Sequence, residues 1–180
     1  MVYDKVIRGQ YVQIRSIELE DAEFSMEIRQ DEKRTKYLHA VDADIEKQTK
    51  WINWQRENPG DYFFIAETLD GEKVGTVGIY DIKGKVGHLG RLLMVGNPFQ
   101  TFEAVLLSIR FAYNELGLDE LYGDVIVENT ASLNISEAVG IHFDEPIYVE
   151  ELGQWVKYGS AYKNEFPEYE SKIEKLIYRN

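Results

Sequence analysis

The sequence contains no cysteine, so disulfides, thiolate metal sites and a cysteine nucleophile are all excluded. Its three histidines, His39, His88 and His142, lie far apart and show no ligand spacing, so no metal is expected. Prolines number four, and no Pro/Gly/Ser-rich stretch or repeat interrupts the 180 residues, so nothing marks a second domain. No run approaches the roughly 18 consecutive apolar residues that suggest a membrane span. Residues 1–9 have no apolar core of the signal-peptide kind. Positive charge is scarce as well. Twenty lysines and arginines face 32 acids, a formal charge of −12, which argues against a nucleic-acid surface and permits a cationic partner. These absences point to one cytoplasmic domain over residues 1–180, with neither membrane nor nucleic acid as partner.

What is present is material for a core. Apolar residues make up 44% and aromatic residues 13%, which suits a packed globule and not a disordered tail. Residues 11–15 (YVQIR) alternate polar and apolar, as a half-buried strand does. A helix is expected over 21–31, with Phe24 and Ile28 on one face. Asp44 is placed to cap a second helix through Glu57, carrying Ile45, Trp51, Ile52 and Trp54, before the stop Asn58-Pro59-Gly60. A hairpin follows, with strands at 62–66 and 73–80 around Asp70-Gly71. Gly75 and Gly78 inside the return strand mark either substrate approach or a crowded crossing of strands.

A strand over 86–95 leads to a turn at Gly96-Asn97-Pro98. The strongest helix is read at 102–116, where Val105, Ile109, Ala112 and Leu116 recur at helical spacing before Gly117. Then come a strand at 121–127, a short helix at 132–139 behind Asn129-Thr130, and strands at 141–149 and 154–162. Pro167 opens a terminal helix with Tyr169, Ile173 and Leu176 as its buried stripe. The fold class is therefore α/β (α+β): a mixed, mostly antiparallel twisted sheet of about seven strands flanked by helices, with an extra C-terminal helix. Strands 86–95 and 121–127 are candidates for a parallel pair that splays where the crossover helix leaves.

Several features admit two readings. Seven acids between residues 17 and 32, against Arg29, are a solvated helix face or an acidic rim that draws an amine or basic peptide. Trp51 and Trp54 are packing residues or an acceptor-stacking platform. Tyr158, Tyr162, Tyr169 and Tyr178 pack the terminal helix or form a homodimer contact. Asp124 and Glu128 bracket a strand and need no function.

In this order, several short motifs resemble the GNAT superfamily of N-acetyltransferases, in particular the branch with ribosomal-protein alanine, amino-sugar and polyamine acetyltransferases. They are Gln13-Ile14-Arg15 with Glu20-Asp21-Ala22, the run Gly75-Thr76-Val77-Gly78-Ile79-Tyr80, Gly90-Arg91-Leu92-Leu93, Glu103-Ala104, and Asn129-Thr130-Ala131-Ser132 before Val139-Gly140-Ile141. The resemblance implies acetyl-CoA as co-substrate, lying between strands 86–95 and 121–127. It places the backbone of Leu93, Met94 and Val95 along the pantetheine and the amides at Gln100, Thr101 and Phe102 toward the pyrophosphate. Asn129 and Ser132 would border the donor's far arm, and the acceptor would enter beside the two early helices. The acetyl group would pass to a primary amine by direct attack in a ternary complex.

The chain departs from the family's pattern at three places. Phe99 and Thr101 stand where glycines usually let the backbone approach phosphate. Ser136 stands where many members have a tyrosine that protonates the leaving thiolate, with Tyr80, Tyr113 and Tyr122 as substitutes. His88 replaces a frequent glutamate and is the first candidate for the base, since imidazole titrates near neutrality; Glu128 is the second, and the plain alternative for His88 is a strand residue without a role. An amino sugar, a polyamine or other small amine, and the N-terminus of a basic protein remain open as acceptors, with the negative surface favouring the cationic ones. The competing reading is a binding module of the same fold that has lost catalysis, favoured by Phe99, Thr101 and Ser136.

Overall fold

The computed structural model describes residues 1–31, 35–37 and 44–178. Two short strands come first, the edge strand β1 (Ile7–Arg8) and its neighbour β2 (Val12–Ser16). A single 3-10 turn, Leu19–Asp21, leads into α1 (Ala22–Gln30), and α2 (Ile45–Glu57) follows. Asp44 caps α2 as expected, its carboxylate accepting from the backbone N–H of Glu46 and Lys47. The central meander is β3 (Tyr62–Thr68), β4 (Lys73–Lys83) and β5 (Val86–Met94). The crossover α3 (Pro98–Arg110) continues as a π-helical turn, Phe111–Glu115, before β6 (Glu120–Ile126). The chain closes with α4 (Thr130–Ala138), β7 (His142–Phe143), β8 (Ile147–Val149), β9 (Gln154–Tyr162) and α5 (Phe166–Ile177).

Among the described residues nine strands join one sheet in the order β1-β2-β3-β4-β5-β6-β9-β7, with β8 also on β9. Every neighbouring pair is antiparallel except β5–β6. The count exceeds seven for local reasons. β1 has two residues, and the strand expected over 141–149 breaks into β7 and β8 at Asp144-Glu145-Pro146, where proline has no N–H to pair.

The side chains of β3 show how the sheet divides the core. Phe63 and Ile65 point to one face and pack with Ile17, Ala22 and Ile52 from the α1–α2 side. Phe64 and Ala66 point to the other and pack with Ala104, Leu107 and Phe111 of the crossover helix. The largest cluster lies farther along that second face, where Leu106, Ile109 and Tyr113 meet Leu121, Ile141 and the terminal helix. The stripe on α5 is Phe166, Ile173 and Ile177, while Leu176 is exposed. Tyr158 and Tyr162 are exposed on β9, and Tyr178 instead reaches back to the start of α3.

Charge is built into this frame. Asp21, one of the seven acids expected at the surface, is fully buried and takes a two-pronged bond from Arg15 at 2.7 and 3.0 Å and a third from Lys73 at 2.6 Å. Burial works to raise its pKa, but these cations outweigh it and hold it below the ordinary aspartate value.

The largest correction concerns the crossover helix. It begins at Pro98, four residues before the expected start at Phe102. Asn97 is its N-cap: the Asn97 side chain accepts from the Gln100 N–H at 3.1 Å, and the Gln100 side chain accepts from the Asn97 N–H at 2.8 Å. Asn97 and Pro98, read as a turn, are the cap and first residue of a reciprocal capping box. Gln100, Thr101 and Phe102 therefore lie inside the helix, and the Thr101 hydroxyl donates to the Asn97 carbonyl at 3.1 Å.

Candidate active site

The two parallel strands pair over three residues, Val86, Gly87 and His88 against Glu120, Leu121 and Tyr122. Beyond that point they diverge. Among the described residues no strand pairs with 89–94 on the β6 side, so backbone N–H and C=O groups there face open space. The gap is a cavity of about 480 Å³, bounded by Leu89, Gly90, Arg91 and Leu92 on one wall and Val125 and Ile126 on the other. Asn129, the N-cap of α4, and Ser132 and Ser136 on that helix close one side.

His88 stands where the strands part. Its ring lies between those of Tyr80 and Tyr122, with both centroids 4.5 Å away. Its Nε2 is 3.0 Å from the Asp124 carboxylate, and its side chain is 13% exposed. Asp124 comes from the diverging strand two residues past Tyr122, so the splay that opens the cavity also brings this acid beside the imidazole. A carboxylate on Nε2 favours the tautomer with the proton there, leaving Nδ1 as the basic nitrogen. Asp124, read as needing no function, is the residue the sequence missed. Its signal is registral: in a parallel pair with His88 opposite Tyr122, Asp124 is the next side chain on that face.

The expected site residues separate into two groups. His88, Asn129, Ser132 and Ser136 line the cavity together. Leu93 lines a second cavity instead, of about 340 Å³, between α1, α2 and the sheet. Met94 packs under Gly75, Val95 N–H donates to the Val74 carbonyl, and Gln100, Thr101 and Phe102 belong to α3. Of the substitute acids, Tyr80 lines the cavity and burial pushes its phenol well above the ordinary range, so it stays protonated. Tyr113 is fully buried with its hydroxyl on the Ala161 carbonyl and does not line it, nor does Glu128. Gly75 and Gly78 both sit at crowded points: a Cβ at Gly75 would run into Met94 and the Leu93 carbonyl, and one at Gly78 would make a tight contact with Arg91 Cδ at 3.2 Å. His39 lies outside the described residues.

β5 carries a bulge at Arg91. Gly78 pairs with Gly90 and Thr76 with Leu93, so two residues stand opposite one. Arg91 sits there with φ of 52°, an uncommon conformation for a residue with a Cβ, pinned by the Thr76 hydroxyl on its carbonyl at 2.9 Å. The bend aims its side chain between the two cavities, and Arg91 and Leu92 line both. The second cavity has Trp51 and Phe63 on its apolar side, and Trp54 points away with 55% of its surface exposed.

A sheet of this order, split between its two parallel strands beside a crossover helix, is the architecture of an acetyl-transferring domain, and sequence comparison gives the same class. The model of the acetyltransferase (GNAT) domain matches residues 12–142, and the chain belongs to that family of N-acetyltransferases. It is similar to YjcK of Bacillus subtilis (strain 168), described as a probable N-acetyltransferase, with 22% identity across 76% of this chain and 83% of that protein. The fold is shared with a GCN5-related N-acetyltransferase from Brucella melitensis at a TM-score of 0.80 and 17% identity, covering 97% of this chain and 86% of that one. It is shared with apo FdhC, a nucleotide-linked sugar GNAT, at a TM-score of 0.77 and 22% identity, covering 98% and 97%. A point mutant of the spermidine N-acetyltransferase SpeG from Vibrio cholerae has a TM-score of 0.74 and 14% identity, covering 88% and 98%. No helix among the described residues is long and apolar enough to cross a membrane.

Proposed function

We propose that the chain transfers an acetyl group from acetyl-CoA to a primary amine in a ternary complex, with His88 as the base. The observation that carries this reading is the His88–Asp124 pair, 3.0 Å apart, at the apex of the splayed cleft. The cleft suits an acyl-pantetheine arm, because the backbone groups of residues 89–92 on that side lack a strand and an amide-bearing chain supplies matching partners. When bound, acetyl-CoA supplies the activated thioester. His88 takes the proton shed by the attacking nitrogen, and Asp124 stabilises the imidazolium that results. Ser136 lines the same cavity and orients a water that protonates the sulfur as the C–S bond breaks and the C–N bond forms, while the proton held by His88 returns to solvent. Asn129 and Ser132 border the arm.

The reading is tested by thiol release with a panel of amines. His88→Gln is expected to lower kcat about 10²- to 10⁴-fold, and Asp124→Asn to lower it less. Equal activity in wild type and His88→Gln would remove His88 from the chemistry.

A second reading, a binding module with weak or absent donor affinity, is favoured by the start of α3. An anion at a helix N-terminus needs free N–H groups. Here Pro98 has none, Asn97 and Gln100 satisfy each other, and Thr101 N–H donates to the Asn97 carbonyl, which leaves Phe99. The Phe99 ring is itself stacked on Tyr11 at 5.8 Å. The diphosphate thus meets a closed first turn while the arm meets an open cleft. Calorimetric titration with acetyl-CoA separates the two readings: micromolar 1:1 binding supports the enzyme, and no heat at millimolar donor supports the module.

A further inference from the structure

Three aromatic rings and a carboxylate surround one point between the two cavities. The Arg91 guanidinium carbon lies 4.1 Å from the Tyr80 ring centroid, 5.3 Å from Trp51 and 5.5 Å from Phe63. Beneath it Asp61, a buried acid, accepts from both terminal nitrogens of Arg91, at 2.5 and 2.9 Å. Gln55 Nε2 donates to the same carboxylate at 3.0 Å. Rings facing a central cation, with an acid behind, are the chemistry that binds an ammonium ligand. In this chain the cation is already there, covalently part of β5.

The position is built for that side chain. The bulge and the left-handed backbone at Arg91 turn it inward, and Gly78 leaves the space its methylenes fill, since a Cβ there would sit 3.2 Å from Arg91 Cδ. The other polar groups in the second cavity are mostly neutral. Arg29 lines it with Ser25 and Gln48, and among the described lining residues there is no carboxylate. A polyamine entering along α1 and α2 would meet the Arg91 guanidinium at the junction of the two cavities.

We infer that Arg91 is a specificity-determining residue: its guanidinium occupies an aromatic cage beside the acceptor path, and it selects neutral or anion-bearing amines over di- and polyamines. The overall charge of −12 argues for cationic acceptors, but the local arrangement decides which amine is admitted at the site. The exclusion has two parts. The cage is filled, and Asp61 spends its charge on Arg91 instead of on the incoming ammonium.

This inference rests on the second cavity being the acceptor path of the proposed acetyltransferase, so its first test measures binding without donor or turnover. Spermidine is titrated calorimetrically into the full chain, into Arg91→Ser and into Arg91→Lys. Wild type and Arg91→Lys, which keep a cation in the cage, are expected to bind spermidine at least tenfold more weakly than Arg91→Ser. If Arg91→Ser fails to fold because Asp61 is left buried and charged, Asp61→Asn/Arg91→Ser keeps the three rings without the charge and is expected to gain severalfold over wild type. Tight spermidine binding by wild type, or no gain in a folded variant with the cage vacated, would overturn the assignment.

Turnover gives a second readout. Wild type is expected to favour glucosamine or glucosamine 6-phosphate over spermidine in kcat/KM, and Arg91→Ser to shift that ratio toward spermidine by at least tenfold. An equal loss for all amines would mean that Arg91 only holds the bulge and selects nothing. If wild type acetylates no amine at all, the proposed activity fails while the binding comparison still judges Arg91.

Discussion

Replacing Glu103 with alanine removes one side chain that satisfies four donors. Glu103 is fully buried on α3, and its two oxygens accept from the backbone N–H groups of Gln10, Tyr11 and Val12 at 2.7–2.8 Å and from the Tyr178 hydroxyl at 2.5 Å. It ties the start of β2, the first turns of the crossover helix and the end of the terminal helix to one point. Hydrogen bonds to a charged group contribute about 1.5–3 kcal/mol each, and the orphaned amides carry a desolvation cost of similar size. Three such amides set an upper bound of roughly 4–9 kcal/mol, which water entering the vacated space reduces. The expected loss for Glu103→Ala is therefore about 3–5 kcal/mol, at the large end for a point substitution. For a domain of this size each kcal/mol moves Tm by roughly 2–4 °C, so a drop of roughly 6–20 °C is expected in thermal unfolding followed by circular dichroism. Glu103→Gln keeps one acceptor oxygen and should lose about half as much, and Tyr178→Phe about 1–2 kcal/mol. A Glu103→Ala loss below about 1 kcal/mol would refute the reasoning, because the three amides would then have another acceptor in the folded chain.

Two further outcomes are open to direct measurement. Gln100→Ala releases the Asn97 N–H at the start of α3, so acetyl-CoA is expected to bind severalfold more tightly by calorimetry; an unchanged Kd would mean that the donor's diphosphate does not use this helix terminus. Asp21 and Asp61 both have folded pKa values held below the ordinary 3.8, burial opposing the shift and their guanidinium partners imposing it. A depressed carboxylate pKa stabilises the fold above the unfolded value and loses that contribution as pH falls through the folded one. The part of Tm due to these two groups should therefore be level between pH 7 and 5 and fall below about pH 4, and a Tm that declines steadily from pH 7 would assign the pH dependence to other groups.

The order of elements was legible because it rests on short-range patterns. The alternation in β3, the Asp44 cap of α2, the Asp70-Gly71 hairpin and the spacing of Val105 and Ile109 are each set within a few residues. The start of α3 carries a local signal of its own. Asn97 followed by Pro98 and, three residues after the asparagine, Gln100 is a capping box with proline at the first helical position. Reading Pro98 as a turn placed Gln100, Thr101 and Phe102 before the helix, where their amides looked available to a phosphate. The same residues lie inside the helix, in its first turns.

Other features had no local signal. Asp124 acquires a partner because two parallel strands pair for three residues and then part, and the point of parting depends on how α3 and β9 pack against them. Asp21 belonged to an acidic run that reads as surface, yet Arg15 and Lys73 draw it inward. Arg91 looked like one member of a Gly-Arg motif, and its cage is assembled from Trp51, Phe63, Tyr80 and Asp61 on three other elements and a loop.

The sequence by itself determined the succession of helices and strands and the family, since hydrophobic period, caps and turn residues act over a few positions and recur as motifs. The tertiary structure alone decided which charges are buried, that Asp124 meets His88 at the cleft, and what fills the space between the two cavities. Those depend on register and packing between residues tens of positions apart, where a shift of one residue turns a side chain to the opposite face of the sheet.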